Sequence, residues 1–220
     1  MKGLVHSIDT FSTLDGPGIR TVIFMQGCHL RCKYCHNPDT WALKSKDAKE
    51  YSVDELMHII IRAKPYFRAS QGGVTFSGGE PLLQSKFIQK VLHECKLAGI
   101  HTCIDSALYV KSTFLEDILP YTDLVLADIK HIDSSKSKHI TSMPNKLNLE
   151  NLKLISTSGI PIWIRYVVIP DLTDDEEDIV KMAHFIKNLK GVERIDLLPY
   201  HFLGKHKWDL LNLKYELEDT

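Results

Sequence analysis

The chain has 220 residues, 44% hydrophobic and 25% charged, enough for a sizeable core and ordinary for a globular protein. Twenty-seven basic residues stand against 28 acidic ones, with no basic block or stripe, which argues against a nucleic-acid partner. The N-terminal MKGLVHSIDTFSTLDGPG has no apolar signal-peptide core and no run approaches membrane-spanning length. The expected compartment is the cytoplasm, where five cysteines point to metal or catalysis before disulfides.

In chain order, the first apolar, β-branched run is TVIFMQG (21–27), a predicted strand that leads directly into GCHLRCKYCHN (27–37). Ser52 and Glu55 form a capping box ahead of LMHIIIRA, a helix that Pro65 would stop. GVTFSG (73–78) is the second strand. Residues 84–97 then place Phe87, Ile88, Val91, Leu92 and Cys95 at helical spacing and close on Gly99. IHTCID (100–105) and DLVLADI (123–129) follow as strands, and a weaker helix covers 146–157, ending near Gly159. IWIRYVVIP (162–170) is the fifth strand, and Thr173 with Glu176 makes a second capping box before DIVKMAHFIKNL. VERIDLLPY (192–200) is the sixth strand.

Strands alternating with helices predict an α/β fold with parallel pairing through right-handed crossovers, either an open doubly wound sheet or a curved, incomplete β/α barrel. Most polar motifs fall at strand C-terminal ends, where both architectures keep their chemistry. Without a composition break, linker or finer repeat, a single domain spanning 1–220 is expected.

Cys28, Cys32 and Cys35 have the spacing C-x3-C-x2-C. Zinc would need a fourth ligand, and His29 and His36 each adjoin a cysteine, which makes tetrahedral convergence awkward. Cys32-Lys-Tyr-Cys35-His36 matches the c-type haem attachment pattern, yet such haem is attached after export. A thioredoxin-like pair would leave Cys28 unexplained. An iron–sulfur cluster uses all three thiolates and leaves one iron of four without a protein ligand, which makes the missing cysteine a binding position. That reading is favoured.

The cysteine loop, with Tyr34 before its last cysteine, resembles the signature of the radical S-adenosylmethionine (SAM) superfamily. In that superfamily the open iron binds the amino and carboxylate groups of SAM. An electron from the reduced cluster cleaves SAM to methionine and a 5′-deoxyadenosyl radical, which abstracts a hydrogen atom. Ser77-Gly78-Gly79-Glu80-Pro81 is similar to the superfamily's GGE motif, whose backbone holds the SAM ammonium. Asp105, Asp128 and Lys130 end the third and fourth strands, Arg165 lies inside an apolar strand and so needs a partner, and Tyr200 and His201 follow the sixth. DGPGIR (15–20), CHNPDTW (35–41), HTCID, WIRYVV and LLPYHFLGKHKW (197–208) extend the resemblance over nearly the whole chain to the glycyl-radical enzyme activating enzymes. No further cysteine-rich stretch lies between Cys35 and Gly72, as in members without an inserted ferredoxin-like module.

The resemblance implies a partial (β/α)6 barrel, open on one side to admit a protein segment. It implies a [4Fe-4S] cluster on Cys28, Cys32 and Cys35, and SAM lined by Tyr34, Cys35, His36, Gly78, Gly79 and Glu80, with Asp128, Ile129, Lys130 and His201 from later strands. Asp105, Ser106, the Leu126 carbonyl and Asp128 match a monovalent-cation site, and Asp15 and Arg165 match contacts to the partner's glycine loop. The implied partner is a glycyl-radical enzyme of anaerobic glucose metabolism, formate acetyltransferase foremost, with an electron donor such as flavodoxin; the activase itself is expected to be a monomer. The alternatives are a radical SAM enzyme acting on a small molecule, similar to 7-carboxy-7-deazaguanine synthase, and a truncated non-catalytic homologue. Two departures stand out. Ala107-Leu108-Tyr109-Val110 occupies a place where a polar or glycine-containing turn is expected, in a segment about two residues short of the pattern. The chain also closes soon after the sixth strand, which predicts the absence of the last C-terminal elements.

Overall fold

The computed structural model describes residues 1–217. Its eight strands are β1 (Lys2–Ser12), β2 (Arg20–Met25), β3 (Lys49–Ser52), β4 (Gly73–Gly78), β5 (His101–Ser106), β6 (Leu124–Asp128), β7 (Ile162–Val168) and β8 (Val192–Pro199). They form one sheet ordered β3-β1-β2-β4-β5-β6-β7-β8. The six predicted strands are β2 and β4 to β8, paired in parallel in chain order. β1 and β3 extend the β2 edge in antiparallel fashion and were not foreseen. The result is an open, partial barrel and not a closed one, because β3 and β8 each end the sheet.

The helices are α1 (Val53–Arg62), α2 (Lys64–Ser70), α3 (Ser85–Leu97), α4 (Ser112–Glu116), α5 (Ser134–Thr141), α6 (Lys146–Ser158), α7 (Glu176–Lys187) and α8 (Lys205–Leu210). The first capping box forms in full: the Glu55 amide donates to the Ser52 hydroxyl, and the Ser52 amide donates to the Glu55 carboxylate at 2.7 Å. Pro65 does not stop α1, which ends at Arg62; it sits in the first turn of α2, where its missing N–H costs nothing. The second box is corrected. Asp175 caps α7 by accepting from the Asp178 amide, while Thr173 is buried and braces the exit of β7, accepting from the Ile169 amide at 2.6 Å and donating to the Val167 carbonyl. α6 stops at Gly159, whose φ of 81° is the left-handed turn glycine tolerates.

Period-two alternation along the strands gives the sheet two different faces. One carries Ile23, Phe76, Ile104, Val125 and Ile164 into the core formed with Leu56, Ile60, Ile88, Leu92 and Ile155 of the helices. The opposite face carries Ser77, Asp105 and Asp128 at or near the ends of β4, β5 and β6, and Arg165, mid-strand in β7 and paired with Asp128 in register. Beyond β8, α8 and the chain to Leu217 turn back, and Trp208, Tyr215 and Leu217 pack with Cys28, Leu30, Cys32 and Tyr34 in a second apolar cluster.

Candidate active site at the open rim of the sheet

The strand ends and the loop after β2 enclose a cavity of about 680 Å³. Cys28, Cys32 and Cys35 line it, all three as free thiols. Burial pushes the Cys28 thiol up to about 12 and raises Cys32 and Cys35 as well, with the Lys130 charge working against the rise at all three. Backbone bonds shape the loop. Gly27 and Cys28 donate to the carbonyls of Thr40 and Trp41, Arg31 and Lys33 donate to those of Thr141 and Ile140, and the Arg31 guanidinium closes on the Cys28 carbonyl at 2.7 Å.

The opposite wall comes from the strand ends. Gly78 has φ 109°, and a Cβ on Gly79 would collide with the Gly27 carbonyl, so only glycines let this turn lie against the cysteine loop. Lys130 pairs with Asp128 at 3.0 Å and lies 5.5 Å from the Tyr34 ring centroid. Burial works against its charge, but Asp128, Tyr34 and Cys32 outweigh burial and raise its pKa well above the ordinary lysine value. His36 and His201 stack at 4.2 Å, and burial lowers the His36 pKa. At the rim, Arg165 reaches Asp105 at 3.3 Å, and Ser77 donates to the other oxygen of Asp105 at 2.6 Å. Asp105 holds Arg165 above its usual range, while burial raises Asp105 itself. Asp15 lies on the same rim, its carbonyl held by Thr75 at 2.7 Å.

A model of the radical SAM superfamily matches residues 22–183. The chain belongs to the radical SAM superfamily. It is 51% identical, over its full length and 91% of the relative's, to a pyruvate formate-lyase-activating enzyme of Clostridium pasteurianum. The crystal structure of a domain of a pyruvate-formate lyase-activating enzyme from Bacteroides vulgatus ATCC 8482 superposes with TM-score 0.56 and 32% identity, covering 68% of this chain and 98% of that one. A radical SAM methyltransferase from Sphaerobacter thermophilus shares the fold, with TM-score 0.62 at 13% identity over 96% of this chain and 70% of that one.

Membership implies SAM and a [4Fe-4S] cluster, and the residues present fit both. The donor set is three soft thiols on one loop, all lining one cavity. Gly78 and Gly79 border the cavity without side chains, the Gly79 amide bonded to the Met25 carbonyl at 3.0 Å. Of the residues singled out from sequence, Asp15, Tyr34, His36, Gly78, Gly79, Ser106, Leu126, Asp128, Lys130 and His201 also border the cavity. Glu80 and Ile129 do not. Glu80 is buried behind the turn, accepting from Ser106 at 2.7 Å and from the Leu82 amide, and Ile129 is in the core, its amide bonded to the Arg165 carbonyl. Ser77 and Trp208 were missed: both lay in quoted stretches, but nothing local marks Ser77 as the partner of Asp105 or Trp208 as the cover of Cys35.

Proposed function

We propose that the chain activates pyruvate formate-lyase by cleaving SAM reductively and abstracting a hydrogen atom from a glycine of that partner. The observation that carries this reading is the meeting of the three cysteines, the glycine turn, Lys130 and the Asp15–Arg165 rim in one cavity of a chain 51% identical throughout to an activating enzyme of that name. When bound, the cluster supplies one electron to the SAM sulfonium, whose carbon–sulfur bond breaks to give methionine and a 5′-deoxyadenosyl radical. Cys28, Cys32 and Cys35 would hold the cluster through their thiolates. The Gly78–Gly79 backbone receives the ammonium, and Lys130, kept charged beside Asp128, receives the carboxylate. Tyr34, His36 and His201 wall the nucleoside. Asp15 and Arg165 would meet the incoming glycine loop and orient it at the cavity mouth.

The same reading takes residues 1–220 as one domain, a monomer in the cytoplasm, reduced by a flavodoxin-type donor. It sets a monovalent cation among Asp105, Ser106, the Leu126 carbonyl and Asp128, where the register of β5 on β6 brings Asp105 opposite Leu126. Such a cation has to compete with Arg165 for Asp105 and with Lys130 for Asp128. The deciding experiment is electron paramagnetic resonance on anaerobically reconstituted, reduced protein with SAM and pyruvate formate-lyase. A SAM-dependent change in the cluster spectrum and a glycyl radical on the partner are expected. SAM cleavage without the glycyl signal would move the assignment to a small-molecule substrate, and a Cys32→Ala protein that still cleaved SAM would sink it.

A further inference from the structure

Cys35 is the least buried of the three cysteines, half-buried where Cys28 and Cys32 are buried. What covers it is the segment after β8. The Trp208 indole N–H donates to the Cys35 carbonyl at 2.8 Å, and the ring is almost wholly buried, 6% exposed. Its edge-to-face neighbours are Trp41, at 5.0 Å between centroids, and Tyr215, at 5.2 Å. Trp41 is itself fixed to the loop, its carbonyl accepting from the Cys28 amide at 3.2 Å and its ring lying 5.1 Å from the Arg31 guanidinium. One residue before Trp208, Lys207 reaches Asn37 at 2.8 Å and Asp39 at 3.0 Å. Gly204 lies so close to His36 that a Cβ there would strike its backbone. Five contacts therefore tie six-residue α8 and its flanks to the stretch 35–41, and the indole bond falls on a ligand residue itself.

We infer that Trp208 is a positioning residue of the redox centre: its N–H fixes the Cys35 peptide and its ring, with Trp41 and Tyr215, keeps water from the Cys35 thiolate. The inference rests on the cluster reading of the three cysteines. Its physical basis is that hydrogen bonding and solvent access around a ligating sulfur set how firmly, and at what potential, a cluster is held.

The test compares reconstituted holoprotein of the wild type, of Trp208→Phe, which keeps a ring and deletes the donor, and of Leu92→Ala, which opens the core under α3 far from the loop. Iron content, the spectrum of the reduced cluster with and without SAM, and the rate of iron loss to a chelator are read on each. Trp208→Phe is expected to load the same iron, to lose it about 10-fold faster and to show a shifted spectrum. Leu92→Ala is expected to melt earlier with wild-type rate and spectrum. A Trp208→Phe protein matching the wild type in both, or a Leu92→Ala protein reproducing the change, overturns the inference. If Trp208→Phe does not fold, Lys207→Met, which frees the same helix from Asn37 and Asp39, must move rate and spectrum in the same direction, and a wild-type result again overturns it. A wild-type chain that builds no SAM-responsive cluster fails the functional reading instead.

Discussion

Glu80 is a motif residue buried behind the cavity wall, bonded to Ser106 and the Leu82 amide. Burial pushes its carboxyl up to about 7 from 4.5, against the bonds it accepts from Ser106 and the Leu82 amide, and Asp105 adds to the rise. Cys28 also faces it. A folded-state value above the unfolded one means that Glu80 contributes its stability fully below pH 4.5 and loses it as pH rises through 7. Glu80→Gln keeps the acceptor for Ser106 and removes the charge. Relative to wild type it should therefore gain roughly 3 kcal/mol between pH 4.5 and pH 8, read by urea unfolding of the cluster-free protein at both pH values. No relative gain would mean that the carboxyl is hydrated. Lys130 belongs to the same scale: Lys130→Met removes a charged donor from the cavity and should raise the KM for SAM roughly 10- to 100-fold, in line with about 1.5–3 kcal/mol for a charge-assisted bond. The cysteine spacing, the glycine turn and Lys130 were legible because each is a pattern within a few consecutive residues. Ser77 with Asp105, 28 residues apart, and Trp208 with Cys35, 173 apart, are pairings that only the folded chain creates.

At the scale of elements, the parallel strands announced themselves as apolar, β-branched runs because β2, β4, β5 and β6 are buried along almost their whole length, whereas β8, at the edge, is mostly exposed. β1 escaped notice because KGLVHSIDTFS is covered mainly at Gly3 and Val5 and exposed for much of its remainder, and β3 is only four residues long. The turn after β5 was singled out as irregular, and its solution lies on α6. Leu108 takes φ 57°, an expensive conformation for a branched side chain. It is held there by complete burial and by Asn151, which donates to the carbonyls of Leu108 and Val110 at 2.9 and 2.8 Å. Asn148, one turn earlier, bridges the carbonyls of Ala107 and Asp128 at 2.7 and 3.0 Å, tying the ends of β5 and β6 together. Asn151→Ala strands two buried carbonyls and should cost roughly 2–4 kcal/mol in urea unfolding with an unchanged denaturant slope. A cost near zero would show that the turn holds itself.

For the molecule as a whole, the sequence pattern led to the six parallel strands of the eight and to the strand ends that border the cavity, but the antiparallel edge was invisible to it. After β8 the chain forms α8 and then returns to the cysteine loop, where Lys33 pairs with Glu216 at 2.7 Å and Tyr200 donates to the Leu217 carbonyl at 2.9 Å. The site is thus assembled from both ends of the sequence, with Asp15 on one rim and His201 on another, and its ligands should stabilise the entire fold. A ligand that binds only the native state adds about 2.7 kcal/mol at 100 times its Kd, which for a chain of this size raises Tm by roughly 5–10 °C. SAM should produce that rise in reconstituted protein, because the proposed site takes half of its contacts from the open iron. It should produce much less in protein stripped of iron, where only the glycine turn, Lys130 and the aromatic wall remain, and none beyond that remainder in Cys32→Ala. Anaerobic thermal unfolding of the three samples with and without SAM measures this directly. An equal rise in all three would show that SAM is held by the strand ends alone and that the cysteine loop serves another purpose.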